Sequence, residues 1–72
     1  MRLTALRQIR RFKDIDQWKL GQIIGTSTKN ISNWELGRAD PSEESALKIA
    51  EVLGCTLDQL CKENFNLILQ EK

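Results

Sequence analysis

Residues 17–37, QWKLGQIIGTSTKNISNWELG, decide how the rest of the chain is read. Leu20 and Ile24 stand four apart and share one face of a first helix; Ile31 and Trp34 stand three apart on one face of a second. Gly25 lies between them, where a chain leaving one helix for another needs positive φ. Ser27 can accept from the free N–H groups of the second helix, and Gly37 closes that helix from the C′ position. Two short helices meeting at a sharp angle form a helix-turn-helix, though the pattern alone fits any αα-corner of a small helical domain equally well.

Around this corner the chain is short. Seventy-two residues make one domain, and a domain this size buries only about 60% of its unfolded surface, so its core is marginal. At 40% hydrophobic and 29% charged the composition is that of an ordinary water-soluble globule. No apolar run reaches the roughly 20 residues of a membrane span, and residues 1–15 alternate charged and apolar groups, unlike a signal peptide. The expectation is a cytoplasmic protein with no membrane partner.

Histidine is absent, which removes the commonest metal ligand and the commonest acid–base group at neutral pH. Cys55 and Cys61 have no CxxC spacing and, without further thiols or imidazoles, make no structural zinc site; they read as small core or semi-buried thiols. No activated nucleophile and no Gly-rich phosphate cradle is visible. The expectation is no enzyme, no metal, no cofactor and no small-molecule ligand.

Net charge is only +1, but it is unevenly placed. Through Arg38, eight Lys and Arg stand against three Asp and Glu, a net +5; from Ala39 onward three stand against seven, a net −4. The helical corner lies in the basic half, so a dipolar molecule can turn a positive face toward phosphates while its overall charge stays near zero.

Either side of the corner the elements follow from periodicity and caps. Residues 3–13 read as a helix, with Leu3, Leu6 and Ile9 at helical spacing and Arg10 beside the apolar stripe. Asp14 or Asp16 caps the second helix, 17–24, and Asp14 with Gln17 has the spacing of a capping box. The third helix covers 28–36. Pro41 disfavours helix at Asp40, Ser42 caps a fourth helix with Glu43 and Glu44 in its first turn, and Leu47, Ala50 and Leu53 read as its buried stripe before Gly54 ends it. Thr56 with Gln59 is a capping box that opens a fifth helix at Leu57, with Leu60 inward. Residues 64–72, carrying Phe65, Leu67 and Leu69, form an apolar tail that extends helix five, folds back on the core, or pairs with another subunit.

The series Arg10, Gln17, Leu20, Ile24-Gly25, Ser27, Ile31-Ser32, Trp34-Glu35, Gly37, Pro41-Ser42, Leu47, Ala50, Leu53-Gly54, Leu57-Asp58, Leu60 resembles the lambda-repressor/Cro (XRE) helix-turn-helix family over about residues 3–62. The stretches ISxWExGxxxPS and LGxTLDxL, joined at this spacing, are the specific part of the likeness. The resemblance implies an all-α, compact five-helix DNA-binding domain over residues 1–63, acting as a homodimer on paired half-sites of double-stranded DNA, with 64–72 as a candidate dimerisation element.

It further implies that helix 28–36 lies in the major groove with its N-terminal residues toward the base edges. Thr28, Lys29, Ser32 and Asn33 would then be base-contacting. Lys29 suits guanine O6 and N7, Asn33 the N6 and N7 edge of adenine, and the Thr28 methyl a thymine methyl. Gln17, Ser27, Arg38 and Lys19 would contact phosphates, with Lys13 at longer range, setting register without reading sequence. Arg10 and Glu35 would form a structural ion pair. The whole reads as a transcriptional repressor. The competing reading is a protein-interaction module, such as an antitoxin-type partner, that keeps the scaffold and binds DNA weakly.

Four features depart from the family pattern. Gly21 stands where alanine is usual, at a cost to the helix of up to ~1 kcal/mol. Leu36 stands at a commonly polar position, and Glu43 and Glu44 trim the basic surface. Phe12 and Trp18 are apolar where relatives are often charged, and either pack on each other or form a contact patch for a partner chain.

Overall fold

Every helix but the first begins on a side-chain oxygen that takes an otherwise unpaired N–H; the first starts after Ala5 with no side-chain cap. Asp16 Oδ1 accepts from Lys19 N at 2.7 Å, Ser27 Oγ from Asn30 N at 3.1 Å, and Ser42 Oγ from Ser45 N at 3.1 Å. Thr56 and Gln59 cap reciprocally, with Thr56 N donating to Gln59 Oε1 and Gln59 N to Thr56 Oγ1. The computed structural model describes residues 2–61 and places five helices there: α1 Leu6–Phe12, α2 Gln17–Ile24, α3 Thr28–Leu36, α4 Glu43–Leu53 and α5 Leu57–Cys61. The described residues are all-α, and their helices close around one core. Among the described residues no helix is long and apolar enough to cross a membrane. The tail 64–72, with Phe65, Leu67 and Leu69, lies outside the described residues.

Helices α3 and α4 also end alike. After α3, Arg38 N donates to Asn33 O and Gly37 N to Trp34 O; after α4, Cys55 N donates to Ala50 O and Gly54 N to Glu51 O. These are Schellman closures with a left-handed glycine. Helix α1 ends the same way without glycine: Ile15 N donates to Arg10 O, Asp14 N to Arg11 O, and Asp14 takes φ +62°. This corrects one expectation. Asp14 closes α1 and makes no capping box with Gln17, leaving Asp16 to open α2.

Two further expectations are corrected by packing. Helix α1 starts at Leu6 and not at Leu3, because the preceding residues are tied to α5. Thr4 Oγ1 donates to Cys61 O at 2.8 Å and Ala5 N to Leu60 O at 2.9 Å, which holds this segment against the end of α5. Leu3 is buried all the same. On α4 the inward stripe is Ala46, Ile49, Ala50 and Leu53, and Leu47 is 52% exposed. Positions 46, 49, 50 and 53 follow the i, i+3, i+4, i+7 rule; Leu47 is one step off that face. Leu3, Leu6, Ile9, Leu20, Ile31, Ile49, Leu53 and Leu60 are the large, fully buried side chains.

Gly21 is where α2 meets the turn into α3. A Cβ added there would stand 2.8 Å from the backbone oxygen of Thr26 and 3.4 Å from the carbonyl of Ser27. The glycine is required by close approach, and the loss of helix propensity is secondary. Gly21→Ala gains up to ~1 kcal/mol of helix propensity against overpacking that typically costs about 1–3 kcal/mol. A net loss of about 1 kcal/mol is expected as a lower urea midpoint; a raised midpoint would mean that the turn yields freely.

Candidate nucleic-acid interface

Helix α3 is fastened on one side and open on the other. Ile31 and Trp34 anchor it in the core. At its start Asn30 Nδ2 donates to Thr26 Oγ1 at 2.8 Å, so the turn is held by a side-chain bond besides the Ser27 cap. On the outer side Thr28 and Lys29 are exposed, while Ser32 and Asn33 are half-buried. The four residues expected to meet base edges therefore differ: the first two stand clear at the N-terminal turn, and the second two sit lower on the flank.

A second arrangement fixes the angle between helices. Arg10 is 8% exposed, yet each of its three guanidinium nitrogens donates a hydrogen bond. Nε donates to Glu35 Oε2, Nη2 to Glu35 Oε1 at 3.3 Å, and Nη1 to the carbonyl of Ile15 at 2.8 Å. Gln17 Nε2 donates to Glu35 Oε1 at 2.9 Å. The Glu35 side chain is 2% exposed. One carboxylate on α3 thus collects donors from α1 and from the first residue of α2. Among the described residues no buried side-chain nitrogen or oxygen lacks a partner.

That network bears on the phosphate candidates. Gln17 is half-buried, and one of its two amide hydrogens is committed to Glu35, leaving the other for an outside acceptor. Ser27 is exposed; its oxygen caps α3 and its hydroxyl hydrogen remains free to donate. Lys19 and Arg38 are exposed. Arg2, which the spacing did not single out, brings its guanidinium over Gly37, where an added Cβ would come within 2.5 Å of Nη2. It adds a cation at the end of α3, over the glycine that precedes Arg38 in sequence.

An open groove of about 670 Å³ runs between α1, the start of α2 and the outer flank of α3. Arg7 and Arg11 line it from α1, Gln17 and Trp18 from α2, and Thr28, Ser32 and Leu36 from α3. Arg7 and Arg11 were missed in the sequence, although their i, i+4 spacing puts them on one face of α1. Trp18, 60% exposed, and Leu36, 52% exposed, belong to this groove and not to the core. Cys55 and Cys61 are half-buried free thiols; burial pushes the Cys55 thiol up, partly offset by Lys13, so it is a poor nucleophile.

Chemically the surface is a donor-rich face, with two guanidiniums, Arg7 and Arg11, that pair with no carboxylate among the described residues, and a row of polar side chains on α3. The helix-turn-helix family profile matches residues 6–60. Repressor protein C2 of Salmonella phage P22 is 35% identical over 57 residues, which is 79% of this chain and 26% of that protein, so the chain spans about a quarter of the length of the curated relative it matches. The crystal structure of the P22 c2 repressor in complex with synthetic operator 9T in the presence of Tl+ superposes with a TM-score of 0.78 at 31% identity, covering 89% of this chain and 97% of that one. The chain belongs to the helix-turn-helix family, in its lambda-repressor/Cro (XRE) branch.

Proposed function

We propose that this chain is a sequence-specific, double-stranded DNA-binding repressor that reads the major groove with α3. The observation that carries the reading is the outer side of α3: Thr28 and Lys29 stand exposed on its first turn and Ser32 and Asn33 on its half-buried flank, while Ile31 and Trp34 are buried, on a helix capped at both ends. A helix of 9 residues is about 14 Å long and fits the major groove by its first turns. The likeness to a repressor solved on its operator supports the same role here. Thr28, Lys29, Ser32 and Asn33 make the base contacts. Gln17, through its remaining amide hydrogen, Ser27, Lys19 and Arg38 contact phosphates. The chain acts as a homodimer in the cytoplasm, with residues 64–72 as the candidate dimer element, and carries out no catalysis.

Selection of bound duplexes from a random pool tests the reading, since it returns a preferred site, half-site spacing and stoichiometry together. On the selected duplex, a dimer neutralising about 6 phosphates loses affinity with a log–log salt slope near −5. A well-folded sample that enriches no site and shows no slope would instead be a protein-interaction module on this scaffold.

A further inference from the structure

The groove beside α3 holds more than base reading needs. At its floor Arg10 and Glu35 neutralise each other, and Asp16 at its edge is engaged as the cap of α2. No carboxylate among the described residues pairs with Arg7 or Arg11. Beside these guanidiniums stand two apolar side chains left largely in water, Trp18 and Leu36.

We propose that this groove seats one sugar–phosphate strand of the duplex, with Arg7 and Arg11 on phosphates and Trp18 packed against deoxyribose. The proposal rests on the DNA-binding reading above and extends its footprint from α3 onto α1. The hydroxyls of Thr28 and Ser32 and the Gln17 amide, which line the groove, can donate as well as accept, while its two cations without a carboxylate partner among the described residues and its indole only donate. Guanidinium and indole N–H are donors with no acceptor capacity, so their partner is rich in acceptors, as a phosphodiester is. Arg7 and Arg11 are separated by about 6 Å along α1, a spread that a strand running past the helix meets in turn. The apolar walls match the sugar edge that lies between phosphates, and covering them removes exposed apolar surface from water. Through Thr28 and Ser32 the groove is continuous with the outer face of α3, so a strand bordering the major groove enters it without leaving the protein.

The two tryptophans separate the outcomes, because Trp34 is 9% exposed and Trp18 is not shielded. The Trp18→Phe variant reports Trp34 alone, and the difference from the unmodified chain reports Trp18. On the selected duplex, acrylamide quenching of Trp18 should fall several-fold while that of Trp34 stays constant. Trp18→Ala should weaken selected and random duplexes alike by roughly tenfold, and Trp18→Phe should retain most of the affinity. Arg7→Gln with Arg11→Gln removes four guanidiniums per dimer and should reduce the salt slope by about 3–4. If the unmodified chain binds with a slope near −5 while Trp18 stays quenchable and the double variant keeps that slope, the groove contact fails and the DNA-binding reading stands. If the unmodified chain binds no duplex, both fall. If Trp18 is shielded without DNA and Trp18→Ala lowers the sedimentation mass, the groove belongs to a protein partner and the proposal is overturned.

Discussion

Arg10→Met should lower the free energy of unfolding by about 3–5 kcal/mol, the usual cost of removing one partner from a buried ion pair. The effect comes from what is left behind. Glu35, 2% exposed, keeps only the Gln17 amide after losing both guanidinium donors, and the carbonyl of Ile15 loses Nη1 as well. A carboxylate held from water with one neutral donor is poorly compensated. Domains of this size are marginal, with total stabilities of about 5–15 kcal/mol across single domains, so the loss is a large share. Far-UV circular dichroism in urea measures it. Arg10→Met with Glu35→Leu should recover much of the loss, because replacing a whole buried pair by apolar groups is often neutral or stabilising. A single variant with the unmodified midpoint would show that the pair is not what sets the angle between α1 and α3.

How far the sequence foretold this molecule depended on how local each cause was. The caps at Asp16, Ser27, Ser42 and Thr56 are decided within four residues of chain, as are the closures at Gly37 and Gly54, and these were readable. What failed depended on distant neighbours. Leu47 and Ile49 are equally apolar, and only the direction from which the rest of the core approaches α4 buries Ile49 and leaves Leu47 out. Leu3 is buried outside any helix because Thr4 and Ala5 bond to the end of α5, more than fifty residues on. Asp14 shows αL chemistry in a residue whose side chain suggested a cap. In the candidate interface, the outer row of α3 followed from helical period, but the groove needed three elements at once. Arg7 and Arg11 carry no signal of their facing Trp18 until α1 and α2 are set beside each other. Gln17 was legible as a residue at a helix start, and its bond to Glu35 was not.

Lys29→Ala should weaken binding to the selected duplex by about 1–3 kcal/mol and relax preference at one base position, while affinity for random duplex changes much less. The asymmetry follows from position. Lys29 is exposed on the first turn of α3, beyond the Ser27 cap, where a groove-bound helix brings side chains to base edges. A lysine there has three donors and no acceptor, so it discriminates in favour of guanine O6 and N7 and gains little from cytosine. Asn33→Ala should have a similar sign at a different base, through loss of its paired donor and acceptor on adenine. Gln17→Ala is the internal comparison. Its remaining amide hydrogen serves a phosphate on any sequence, so selected and random duplexes should weaken together. Because Gln17 also supports Glu35, that variant's unfolding midpoint must be measured beside its affinity, and a loss of binding at an unchanged midpoint isolates the contact. Competition on duplexes differing at single positions reads all three variants together. Equal losses on selected and random duplex for Lys29→Ala and Gln17→Ala would place Lys29 on the backbone, and the reading of sequence would have to come from Asn33 and Thr28.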